Sequence, residues 1–121
     1  MNYEARIREV LMELGNGSLP DVGNMPLQEE ATDLVSVEND MFDRPQYLVP
    51  GAAAAWTAMR TTALEDGIIL ELVSAFRSVE YQAGLIRNKL ERGQSLSQIL
   101  AVNAAPGYSE HHTGRAVDLS T

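Results

Sequence analysis

The chain has 121 residues and a mass of 13.2 kDa, room for one domain with one core or for part of a larger one. Hydrophobic residues make up 45% and charged residues 21%, ordinary globular usage that argues against disorder along the whole length. A net charge of -8 argues against a nucleic-acid partner, which needs a basic face, and the lack of cysteine excludes disulfides, thiolate metal sites and cysteine nucleophiles.

The charge is uneven. Residues 1–50 carry 10 acidic and 3 basic side chains, whereas residues 51–121 carry 7 and 6. No stretch approaches the roughly 20 apolar residues of a membrane span. Met1 to Gly17 shows no apolar run behind a basic start, so no signal peptide is expected within this chain. Either the protein is cytoplasmic, or a leader or anchor lies outside these residues.

In chain order, Ile7, Val10, Leu11 and Leu14 recur at helical spacing, with Asn2 as an N-cap and Gly15-Asn16-Gly17 as a stop. Residues 16–30 read as loop, and Asp33–Glu38 as a short strand. Residues 39–50 are irregular. Ala52–Asp66 reads as a helix with Trp56, Met59 and Leu64 on its core face and Gly67 after it. Ile68–Ser74 is short, apolar and β-branched, so a buried strand is expected. A helix opens at Ser78 or Val79 and ends at Gly93. Ser95 caps a shorter helix through Val102, Ala104–Thr113 reads as loop, and Arg115–Ser120 as a last strand. The irregular alternation predicts an α+β fold, a small antiparallel sheet with helices packed on it. A strand that runs to the last residue after a polar loop reads as a chain that stops in mid-domain.

Two clusters carry chemistry. The only histidines, His111 and His112, lie in Ser109-Glu110-His111-His112-Thr113-Gly114-Arg115-Ala116-Val117-Asp118. Imidazole and carboxylate both ligate zinc, and a loop His, a turn Gly and a strand Asp can converge on one point. The plainer alternative is a solvated histidine pair with Asp118 at a strand end. The second cluster, Ser74 to Gln82, straddles a strand-to-helix junction. There Arg77 can offer its planar fork to a carboxylate or an oxyanion, with Gln82 one turn further on. The plainer alternative is a structural ion pair of Arg77 with Glu71, Glu80 or another acid.

Together the clusters resemble the VanY-like D-alanyl-D-alanine carboxypeptidases, zinc peptidases that trim peptidoglycan stems. The family signature Ser-x-His-x-x-Gly-x-Ala-x-Asp is met by Ser109, His111, Gly114, Ala116 and Asp118. A second signature, Ser-x-(aromatic)-Arg-Ser followed by Gln, is met by Ser74, Phe76, Arg77, Ser78 and Gln82. The likeness covers residues 46–121, a partial domain of this type, and leaves 1–45 as an acidic N-terminal helix and irregular segment.

The resemblance implies the hedgehog/DD-peptidase fold, a Zn2+ cofactor and a peptidoglycan stem peptide as substrate, with the parent protein in the cell envelope or outside the cell. It implies His111 and Asp118 as zinc ligands, Arg77 as the oxyanion-holding catalytic residue, and Gln82 and Ser109 as substrate-binding residues. His112 falls on a variable position and is not carried over. The family's later Glu-x-x-His motif, source of the catalytic base and the third ligand, has no counterpart among the 121 residues. An inactive fragment of a zinc carboxypeptidase is therefore the leading expectation. An apolar cleft wall uncovered by that segment would suit a homodimer. The alternative is a non-catalytic module that binds peptidoglycan or metal and keeps the cleft without the base.

Overall fold

A computed structural model describes residues 2–121. Four α-helices and four short strands follow one another as α1 (Tyr3–Leu14), β1 (Val35–Ser36), β2 (Tyr47–Leu48), α2 (Pro50–Glu65), β3 (Glu71–Ser74), α3 (Val79–Glu91), α4 (Leu96–Val102) and β4 (Asp118–Ser120). A 3₁₀ turn spans Glu110–Thr113. The class is α+β, with two small antiparallel sheets, β1 against β2 and β3 against β4.

The chain folds as two compact units. The first comprises the residues up to Glu29 together with Ser78–Ser109. Its three helices start where polar side chains cap them. Asn2 Oδ1 accepts the Ala5 N–H at 2.8 Å, Ser78 Oγ accepts the Tyr81 N–H at 3.0 Å, and Ser95 forms a reciprocal capping box with Gln98. Ile7, Val10, Leu11 and Leu14 are all buried, as their spacing predicts. They share two apolar clusters with Val79, Ala83, Ile86, Ile99 and Ala105.

The second unit comprises Glu30–Arg77 and Glu110–Thr121. Leu48, Trp56, Leu72 and Ala75 form its apolar centre. Pro50 opens α2, where its missing N–H is not needed. Trp56 is fixed at its polar edge as well, because its indole N–H donates to Glu38, which also pairs with Arg60.

Several expectations are corrected. The strand begins at Glu71 rather than at Ile68. Ile69 is 67% exposed, and the Ile68 N–H still belongs to the helix end, bonding the Ala63 carbonyl at 2.9 Å. Residues 68–70 have no strand partner among the described residues, so apolar character alone does not make them strand. The last strand shortens to Asp118–Ser120, because only Glu71, Leu72 and Ser74 face it. Met59 and Leu64 are exposed and leave Trp56 as the buried anchor of α2. The loop expected over Ala104–Thr113 ends in the 3₁₀ turn.

Gly107 shows how tightly the first unit is packed. Its φ is +95°, and a Cβ there would lie 2.7 Å from a methyl of Ile7, whereas Gly93 at φ +92° faces open space. Gly93→Ala isolates the backbone cost, about 1–2 kcal/mol. Gly107→Ala adds overpacking and should lose about 1–3 kcal/mol more. Urea unfolding of the two variants beside the parent measures the difference, and equal losses would show that Ile7 moves aside freely.

Candidate metal centre

β3 does not pair evenly with β4. Leu72 faces Leu119 and Ser74 faces Asp118, so Val73 is the extra residue of a bulge. Bulges of this kind re-aim side chains. Here the Ser74 hydroxyl donates to Asp118 Oδ2 at 2.8 Å. The Val73 carbonyl accepts from the Arg44 guanidinium at 3.0 Å.

After Ser74 the chain leaves the sheet, and its backbone groups turn to other partners. The Ala75 N–H donates to Gln46 Oε1 at 2.9 Å, and the Phe76 N–H to the Tyr47 carbonyl at 3.0 Å. The Arg77 N–H donates to the His111 carbonyl at 3.1 Å, and the Arg77 carbonyl accepts from His112 Nδ1 at 2.7 Å. The Ala75 carbonyl lies 2.6 Å from His111 Nδ1. A carbonyl only accepts, so His111 Nδ1 carries a proton and Nε2 faces Asp118.

Nε2 meets Asp118 Oδ2 at 3.2 Å. When the ring is neutral these are two acceptors face to face, an arrangement that a shared proton or a shared cation satisfies. A tetrahedral zinc at its usual ligand distances would hold such atoms roughly 3.3–3.5 Å apart, so a slight relaxation accommodates one. The second requirement is also met, since a ligating imidazole normally donates its other N–H to a carbonyl or carboxylate. His111 and Asp118 therefore fit as two ligands of one ion. Among the described residues no third His, Cys, Asp or Glu joins them in a metal-binding group.

The motif's Gly114 is explained by geometry. Its φ is +69°, and a Cβ would press on Val49 and Leu34 at 3.0–3.1 Å. Its carbonyl also accepts the Val49 N–H at 3.0 Å. Only glycine lets the chain turn here between His111 and Asp118.

His112, one residue away, does something else. It is fully buried, its carbonyl accepts the Ala31 N–H, and its Nδ1 is bound to Arg77. The picture of a solvated histidine pair is thereby corrected. Both histidines lie on the 3₁₀ turn, and each grips the 75–77 backbone. Arg77 is half-buried and forms no ion pair with Glu71, Glu80 or any other acid among the described residues. Gln82 and Ser109 belong to the first unit. Both are buried, and Gln82 donates from Nε2 to the Ala104 carbonyl while its Oε1 has no hydrogen-bond partner.

The groups that sequence reasoning passed over are Ala75, Gln46 and Asp40. Asp40 is buried before β2. Its Oδ1 accepts the N–H groups of Phe42 and Arg44, and its Oδ2 accepts from the Arg44 guanidinium and from Gln46 Nε2, the last two at 2.7 Å. Burial of the carboxyl opposes ionisation. The hydrogen bonds from Arg44, Phe42 and Gln46 outweigh it and hold the pKa down at about 2. An Asp two residues before the N–H that it caps was the available signal.

With these groups in place the relatives can be identified. Three solved peptidase structures match the chain. One is the vancomycin-resistance D,D-pentapeptidase VanY from a VanB-type cassette with Zn(II), at 23% identity and a TM-score of 0.58, over 78% of this chain and 55% of that one. The same enzyme, VanYB, with D-alanine-D-alanine aligns at 21% and 0.58, over 81% and 57%. The LdcB LD-carboxypeptidase, solved to explain peptidoglycan recognition, aligns at 31% and 0.66, over 79% and 46%. The chain thus spans about half the length of these relatives. No curated protein sequence matches it. The profile of the VanY D-alanyl-D-alanine carboxypeptidase family matches residues 45–121, and the chain belongs to that family.

The depressed pKa of Asp40 fixes the sign of an acid effect. Its folded value lies below the unfolded value of about 3.9, so its stabilisation is complete above about pH 4 and disappears as pH falls through about 2. Thermal melts between pH 5 and 2 should fall more steeply for the parent than for Asp40→Asn, which starts lower and has no such charge to lose. Parallel curves would show that Asp40 is not the group responsible.

Proposed function

We propose that this protein is a zinc-dependent peptidase of peptidoglycan stem peptides that cleaves next to a D-amino acid. The observation that carries the reading is the His111–Asp118 pair, 3.2 Å apart, with the imidazole tautomer set by the Ala75 carbonyl. Bound zinc would polarise the scissile carbonyl and bring the pKa of its water toward roughly 7.

The chain's own residues supply the setting. His111 presents an unprotonated Nε2 to the ion, and Asp118 supplies a carboxylate whose Oδ2 is held by Ser74. Arg77 is proposed to hold the carbonyl oxygen as it gains negative charge. Its guanidinium pairs with no acid among the described residues, and its peptide is clamped on both sides by the histidine turn. Gln82 and Ser109, which the resemblance marks as substrate-binding, are both buried in the first unit. Peptidoglycan as substrate would place the action at the cell envelope. No helix among the described residues is long and apolar enough to cross a membrane.

A second reading has its own observation in favour. Catalytic zinc takes three protein ligands and a base, and the described residues bring together two ligands. A module that binds zinc or stem peptide without turnover meets that count.

Release of D-alanine from a D-Ala-D-Ala-terminated stem peptide with added Zn2+ separates the readings. The 121 residues alone should bind Zn2+ weakly, lose it in His111→Ala and Asp118→Ala, and release D-alanine at background rate. A longer product of the same gene that adds a Glu-x-x-His segment should turn over. There Arg77→Ala should lower kcat on the order of 10²–10³-fold with little change in KM. Peptide binding without turnover by that longer product would establish the binding module, and undiminished Zn2+ in both ligand variants would rule the site out.

A further inference from the structure

Ala75 and Phe76 form the wall against which His111 is set, yet they lie beyond the last paired residue of β3. A carbonyl in such a position holds an imidazole only as well as it is itself held. Two contacts from one short segment hold it. Tyr47 takes the Phe76 N–H through its backbone, and Gln46 takes the Ala75 N–H through its side chain.

The Gln46 contact depends on which way its amide faces. Asp40 decides that. A carboxylate can only accept, so the amide group facing it at 2.7 Å must be the Nε2 end, and Oε1 is thereby aimed at the Ala75 N–H. Asp40 in turn is fixed by the Phe42 and Arg44 donors, so it does not swing away. Gln46 is buried, with 8% of its surface exposed, and the buried Asp40 and Ala75 leave it no competing solvent partner.

From this chain of contacts we infer that Asp40 and Gln46 are positioning residues for the metal centre. They lock the Ala75 carbonyl in place and so dictate that His111 presents Nε2 rather than Nδ1 to the ion. The inference deepens the reading of His111 and Asp118 as ligands and rests on it. It gives the acidic loop before β2 a task in the chemistry although none of its residues touches the metal.

The test uses the 121-residue chain labelled with ¹⁵N-histidine, without metal, at one fixed alkaline pH. Imidazole ¹⁵N shifts should show His111 as a single Nδ1–H tautomer. Gln46→Met and Asp40→Asn should each give a mixture of tautomers at His111. Zn2+ titration should show affinity at least about tenfold weaker in both, in line with other outer partners of metal-bound histidines. The Asp40→Asn/Gln46→Glu double variant restores one donor facing one carboxylate, and should recover both signals. Gly93→Ala, which destabilises the other unit, should leave them unchanged. If Gln46→Met does not fold, Asp40→Asn, which keeps the apolar packing, decides alone. An unaltered His111 tautomer in the folded single variants overturns the inference. Zn2+ binding that survives His111→Ala sinks the metal reading instead, while the tautomer series still judges the link from Gln46 to His111.

Discussion

The structure around the candidate centre depends on three residues that have left the sheet. Ala75, Phe76 and Arg77 lie beyond the β3–β4 ladder, and buried backbone groups must find partners elsewhere. They find them in two places. The segment at 46–47 takes the N–H groups of Ala75 and Phe76, and the 3₁₀ turn at 110–113 takes the Ala75 carbonyl and both polar groups of Arg77. The second set of contacts is the site itself. The need to satisfy a strand end and the need to orient an imidazole are met by the same hydrogen bonds.

This explains why neighbouring histidines have different fates. His111 reaches the Ala75 carbonyl with Nδ1 and faces Asp118 with Nε2. His112 reaches the Arg77 carbonyl from within the protein and is fully buried. The bulge at Val73 contributes from the opposite side. By skipping one residue it puts Ser74 opposite Asp118, so a hydroxyl steadies the carboxylate while a carbonyl steadies the imidazole. Each candidate ligand thus has its own outer partner, and both partners come from residues 74–75.

Family membership and this geometry point the same way, with different reach. The profile match covers 45–121 and establishes the family. The solved relatives at 21% and 23% identity speak for the fold. What this chain adds is the local physics: a tautomer chosen by a carbonyl, and a carbonyl held by an amide whose orientation is set by a carboxylate.

Much was legible in the sequence, and for physical reasons. Helix starts are short-range events, so Asn2, Ser78 and Ser95 announced theirs through cap hydrogen bonds within three residues. Ile7, Val10, Leu11 and Leu14 announced a buried face through spacing alone. The pairing of His111 with Asp118 was visible as a resemblance, and Gly114 between them follows from the turn that they need. Strand extent was not legible. Ile68 and Ile69 have every local mark of a buried strand, but a strand is defined by its partner, and β4 reaches only Glu71. The burial of His112 and the linkage of Asp40 through Gln46 to Ala75 were beyond sequence reading for the same reason. Their long links, Gln46 to Ala75 and His112 to Arg77, span 29 and 35 positions, and only tertiary structure decides which distant backbone group an imidazole or an amide will meet.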